Sequence, residues 1–431
     1  MNTAQLSLEQ TPPLAVPLRF MLAAPFLAVL AGVVFLFYPE ALVNRGTPAA
    51  LAITHLVTLG FISMVMAGAL QQLLPVLAGV KLQKPNLFSL MLFLGVLSGT
   101  LLLCGGFLWL MPVLLACGAA IVMASCLFLI VSVLIALLRS DASRHITVGM
   151  KLALLAFTVT LGLGGWLAAG YSVPAVPLDR QLTGLHLQWG ILGWTGLLVI
   201  TVSYQVVPMF QVTPKYPSVV RSCLSSVILM ALILIMLNHF LVGSRWTALV
   251  LEAVLLVAFT GYAGLTLRLQ QLRRRKVPDV TLDYWRVGLI ALILAFAVAS
   301  LDEAIPGLRG MKPLMGILFI AGFAMSVING MLYKIVPFLV WLHLTNAVDM
   351  RNRWHLKIPN MKQIIPEQHA RHQFRLHLGA LLTVVLSIWL NPLSSVASLL
   401  FIGSNSYLAY NLSRGVLVYK RVAAQAPESE H

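Results

Sequence analysis

Apolar residues in this chain come in long runs, broken by short stretches of Pro, Gly and charged side chains. A bilayer core of about 30 Å is crossed by roughly 20 apolar residues in helix. Runs of that length predict twelve spans: 20–39, 49–78, 87–109, 112–138, 148–170, 184–210, 222–242, 246–268, 286–306, 313–342, 376–394 and 396–416. Spans 2, 6 and 10 are unusually long, which implies tilt or extension beyond the bilayer. The expected organisation is a polar segment at 1–19, a membrane domain over 20–416 with a long link at 343–375, and a tail at 417–431. The first segment, MNTAQLSLEQTPPLAVPLR, has no basic start, so the first apolar run is expected to serve as an uncleaved anchor.

Those three long spans share a pattern. Span 2 carries Gly60-Phe61 and then Gln72 and Pro75; span 6 carries Gly193-Trp194, Gln205 and Pro208; span 10 carries Gly322-Phe323, Lys334 and Pro337. Each glycine precedes its proline by fifteen residues, and the copies are 133 and 129 residues apart, so each unit holds four spans. Glycine admits a close helix neighbour, while proline frees a carbonyl that the amide or ammonium three residues before it can satisfy. The expected fold is all-α: a polytopic membrane protein of twelve transmembrane helices in a pseudo-threefold bundle of four-helix units.

Composition agrees with the pattern. Of 431 residues, 59% are hydrophobic and 10% charged, with a mean hydropathy of +0.92, against about 25% charged in soluble domains. The net charge of +16 lies in the links, where bases set topology and meet anionic lipid. No nucleic-acid-binding pattern accompanies it, so nucleic acid is excluded as a partner. Lys81, Lys84, Arg139, Arg144, Lys215, Arg221, the Arg273–Lys276 cluster and the bases of 343–375 follow even-numbered spans. Only Arg45, Arg180, Arg245, Arg309 and Lys312 follow odd-numbered ones. The positive-inside rule then makes both termini cytoplasmic, in what is expected to be a bacterial inner membrane. Cys104, Cys117, Cys126 and Cys223 form no CxxC pair and are expected to pack as small hydrophobes.

Ionisable side chains inside spans are the candidate chemistry. His55 stands five residues before its glycine and His186 seven before; His239 ends span 7 at the same expected outer depth. A two-residue offset is about 200° around a helix, so His55 and His186 are expected to face different sites. In span 10 the matching positions hold Ile317 and Met315. His55 either ligates a cofactor or is an imidazole hydrogen-bonded within the bundle. His186 and His239 can share a metal only with a further ligand, for which Asn238 is the neighbour. Glu252, Asp302 and Glu303 are candidates for proton or ion access, or for pairing with Arg309 or Lys312. Lys334 either lies on a proton path or snorkels to the inner face. His369 and His372 have helical i, i+3 spacing, but a solvated, lipid-contacting loop is the expectation there.

On these residues the chain resembles the haem–copper oxidase subunit I superfamily, including its divergent NnrS-type members. The resemblance implies twelve helices in three arcs, with the second, sixth and tenth equivalent. It implies that His55 is an axial ligand of a haem b and that His186 and Asn238-His239 are remnants of a copper site. Ser300-Leu301-Asp302 resembles a family motif before helix ten. The family's His-x-His in helix ten is replaced by Met315-Gly316-Ile317, and Gly190 stands where a tyrosine is expected. Methionine can ligate iron and isoleucine cannot. Proton-pumping oxygen reduction is therefore not expected. What the resemblance implies is haem or copper binding in a redox, nitric-oxide-related or respiratory accessory role, beside respiratory-complex or other membrane subunits. Two alternatives stand: a transporter or channel for a metal or small anion, and a cofactor-free assembly or accessory subunit.

Overall fold

The structure is a computed structural model that describes residues 11–42, 44–78, 84–140, 144–350 and 358–424. Lys81, Arg351, Arg353, His355, Lys357 and the ends of both terminal segments lie outside the described residues.

Among the described residues every regular element is a helix. The long ones are α1 (Ala15–Phe37), α2 (Pro48–Val57, Thr58–Ser63 and Met64–Ala78 in series), α3 (Pro85–Leu108), α4 (Pro112–Leu138) and α5 (Arg144–Ser172). There follow α6 (Leu182–Gln188, Trp189–Gly196 and Leu197–Gln211), α7 (Ser218–Leu237 with Asn238–Val242), α8 (Arg245–Gln271) and α9 (Val280–Ala304). The series ends with α10 (Met311–Ile317, Leu318–Met325 and Ser326–Met350), α11 (Glu367–Ser387) and α12 (Ser394–Ala424). Ten of them, α1 to α10, are long and apolar enough to cross a membrane. The chain is a polytopic helical membrane protein in contact with a lipid bilayer.

Burial runs in the sense lipid requires. Leu94 of α3, Val131 of α4 and Val257 of α8 are exposed, whereas Gln71, Thr201, Ser326 and Asn329 lie wholly inside. In lipid the tails cover such apolar faces, and polar groups are turned inward, away from the tails. Of the cysteines, Cys104 and Cys126 are buried as expected, but Cys117 and Cys223 are exposed on outward faces.

Each repeat glycine makes the close approach that its lack of a side chain allows. A Cβ on Gly60 would stand 2.9 Å from Leu27 of α1, one on Gly193 2.8 Å from Ala156 of α5, and one on Gly322 2.7 Å from Ala291 of α9. In all three cases the neighbour is the helix just before it in the chain. Each glycine also lies in a stretch of wider π-helical turns: Thr58–Ser63, Trp189–Gly196 and Leu318–Met325. Such turns are rare and are enriched at functional sites.

Beyond these turns, α2, α6 and α10 surround an almost wholly apolar cavity of about 150 Å³. All three helices line it at the same offsets from their glycines: 5, 6, 9, 10 and 13 residues on. Lys334 does not turn to the carbonyl freed by Pro337. Its ammonium donates to Asp279 at 2.6 Å, at the first turn of α9.

The largest departure from the apolar pattern is α11, expected at 376 and observed from Glu367. The early residues are too polar for a span read by hydropathy, but they are paired. Arg371 donates to Glu367 at 2.6 Å and to Asp283 of α9 at 3.4 Å. His369 and His372 are therefore on a helix and not in the expected loop. The His369 ring nitrogen Nδ1 lies 2.7 Å from the Tyr407 hydroxyl of α12.

Candidate metal centre

His55 and His186 meet. Their rings lie 6.2 Å apart between centroids and within 23° of parallel. The 200° offset expected to separate them does the opposite, for two reasons. Helices packed side by side must present opposite faces to touch. In addition, the π turns change the register between each histidine and its glycine. Counted from the start of those turns, His55, His186 and Met315 occupy equivalent places, each three residues before Thr58, Trp189 and Leu318.

The ring orientation is fixed by backbone acceptors. His55 Nδ1–H donates to the Leu51 carbonyl oxygen one turn back at 2.7 Å. His186 Nδ1–H donates across helices to the Thr160 carbonyl oxygen of α5 at 3.0 Å. A carbonyl can only accept, so both rings carry the proton on Nδ1 and keep a lone pair on Nε2. This is the tautomer and anchoring that metal-ligating histidines use. Phe107 of α3 packs on His55 at 5.5 Å, and Tyr171 of α5 meets Phe107 edge-on at 5.9 Å. On the other side the backbone of α5 comes close, because Gly164 has no side chain where a Cβ would lie 2.8 Å from His186 Cε1.

Two imidazoles on one metal, at Zn–N or Cu–N lengths of about 2.0–2.1 Å, have ring centres roughly 5–6 Å apart. At 6.2 Å the two rings stand just beyond that span, near enough for both imidazoles to reach one ion or haem iron after a small closing movement. The resemblance implies haem on His55 and copper on His186; in the structure the two rings are neighbours. His239 is exposed, its ring against Phe240 at 5.0 Å. Asn238 is committed elsewhere: its amide donates to the Ser244 carbonyl at 3.0 Å and accepts from Ser244 N–H at 3.3 Å, closing the turn into α8. Among the described residues no group of three or more His, Cys, Asp and Glu side chains is placed to hold an ion. Ile317 packs against the apolar cluster of Phe35, Val384 and Ala397. Met315 is half-buried on the first part of α10.

The remaining candidates fall into two other places. Glu252, Asp302 and Glu303 line a cleft of about 710 Å³ with Arg45, Arg245 and Lys312. There Glu303 pairs with Arg245 at 2.8 Å, and not with Arg309 or Lys312. Lys334 lies far along α10 on Asp279, in a region rich in buried polar contacts. Asn411 donates to the Tyr333 hydroxyl at 2.9 Å, His377 Nε2 lies 2.8 Å from Ser326 Oγ, and Tyr284 donates to Gln373. Both amide atoms of the fully buried Asn329 lack a partner.

Sequence reasoning missed Thr160, Gly164, Phe107 and His377. The run TLGLGGW, with three glycines in four residues, was the available signal for a close neighbour of α5. No protein-family model matches the chain, and no curated protein matches it.

Proposed function

We propose that this chain is a haem–copper-oxidase-like protein of a bacterial inner membrane that holds one redox metal centre, haem iron or copper, on His55 and His186. In this reading it serves a redox, nitric-oxide-related or respiratory accessory role. The observation that carries it is the pair of facing imidazoles, each with Nδ1–H tied to a carbonyl and Nε2 free, 6.2 Å apart. Intramembrane ionisable groups are rare and functional by default, and two that converge are rarer. When bound, such a centre would supply one-electron chemistry or gas binding. The chain's own part is to fix both imidazoles in one tautomer and to wall them with Phe107 and the Gly164 backbone.

The reading places twelve helices across the membrane, adding α11 and α12 to the ten apolar ones, as three four-helix units about a pseudo-threefold axis. Both termini lie in the cytoplasm. The glycine contacts to α1, α5 and α9, the three π turns and the shared cavity offsets support the repeat. Haem and metal analysis of protein purified from haem- and copper-replete cells tests the assignment. About one metal or haem per chain is expected, lost in His55→Ala and in His186→Ala. A colourless, metal-free protein overturns it.

A second reading, transport of a small anion or metal ion, is favoured by the cleft of about 710 Å³ that brings Arg45, Arg245 and Lys312 to Glu252, Asp302 and Glu303. Uptake by reconstituted vesicles, abolished in Glu252→Ala, would favour it over the first.

A further inference from the structure

We infer that the cavity between α2, α6 and α10 is a binding site for one small, uncharged, nonpolar molecule, from a dissolved gas to a ring of benzene size. The site is separate from the histidine pair and does not depend on what that pair holds.

The cavity comes from the repeat itself. Three helices that meet at their π turns diverge beyond them, and each carries a proline fifteen residues past its glycine, at Pro75, Pro208 and Pro337. Proline removes a helical hydrogen bond and bends the helix. Trp194, whose Nε1–H donates to Ser63 Oγ at 3.0 Å, ties α6 to α2 at the closed end. Beyond the glycines the lining is built in rings of three. Val65, Leu198 and Val327 form the first, and Ala69, Val202 and Met331 form a later one. In that later ring one unit contributes only a methyl group where another contributes a methionine. The missing volume is on α2, at Ala69.

Its chemistry selects the ligand class. Almost all the exposed lining is hydrocarbon or thioether; Gln72 and Gln205 also border the cavity, and Ser203 Oγ is already satisfied by the Ile200 carbonyl at 2.6 Å. A water needs two to four polar partners and finds almost none there, so the space stays dry. A dry cavity of about 150 Å³ lined by aliphatic and aromatic side chains is of the size that takes up xenon or benzene in other proteins. A charged ligand is excluded, since no charged side chain lines the cavity and the two amides of Gln72 and Gln205 would not repay its desolvation.

Xenon is the gas-sized probe and benzene the ring-sized one, both applied to the full chain. Crystals pressurised with xenon should show an anomalous peak among Ala69, Val202 and Met331. Benzene should raise the melting temperature of the detergent-solubilised protein. Ala69→Leu should abolish both effects by filling the space, while Ala69→Val, which copies the residue of α6, should weaken them and still fold. Xenon without benzene narrows the class to gases; both together extend it to rings. The proposal is overturned if wild-type protein shows no xenon in the cavity. Ordered water or a lipid acyl chain there, or xenon bound equally in Ala69→Leu, also overturns it.

Discussion

Gly164→Ala tests the histidine pair without touching either histidine. The added methyl would stand 2.8 Å from Cε1 of His186 and 3.3 Å from its Nδ1. Carbon atoms in contact settle at about 3.5–4.0 Å, so the ring must retreat by roughly 0.7–1.2 Å. It is pinned by the 3.0 Å bond from Nδ1–H to the Thr160 carbonyl. A retreat of that size lengthens the bond past about 3.5 Å, where it ceases to count as one. Losing it costs about 0.5–1.5 kcal/mol, and overpacking adds about 1–3 kcal/mol. Against this, alanine returns up to about 1 kcal/mol of helix propensity. Gly162, on the same helix α5, has nothing within 4 Å of its would-be Cβ, so Gly162→Ala shares the propensity gain without the clash. The two variants should therefore differ by ~1.5–4.5 kcal/mol in stability, the sum of the bond and overpacking terms. Thermal melting in detergent reads that difference, and metal content reads the site. Gly164→Ala should melt lower and lose the metal, and Gly162→Ala should do neither. If the two behave alike, His186 is not held against α5 as described.

Other consequences follow from single contacts. Asn238→Ala removes both bonds to Ser244 and should destabilise the chain by ~1–2 kcal/mol, with metal content unchanged. Asp279→Ala removes the cap on Thr281 N–H and leaves the partly buried Lys334 alone; melting should fall by an amount corresponding to ~1–2 kcal/mol. Arg245→Ala breaks an ion pair whose side chains are 75% and 47% exposed, so its melting temperature should match wild type. Cysteine-labelling of sites near residues 12 and 420 should place both on the cytoplasmic face; labelling from the periplasm would refute the proposed topology.

The sequence made the apolar helices legible because lipid demands long uninterrupted runs, and such runs are hard to mistake. The special role of Gly60, Gly193 and Gly322 was legible too, since each makes a close helix contact that a larger residue would crowd. What escaped was register. A reading at 3.6 residues per turn drifts across π turns, so His55 and His186 were assigned to different faces although they meet. The start of α11 escaped for a different reason. Gln373 and His377 are polar yet buried, and Arg371 is held by Glu367 and Asp283. Hydropathy registers the polarity of such residues and not their partners. Asn238 shows the converse: a candidate ligand by position, it closes a turn through Ser244.

The ratio of metal or haem to protein, measured on the wild-type chain and on His55→Ala and His186→Ala separately, tests the shared centre most directly. The account predicts about one per chain in wild type and near zero in each single variant, since neither imidazole alone holds the group. Retention of a full complement after removal of either histidine would contradict it.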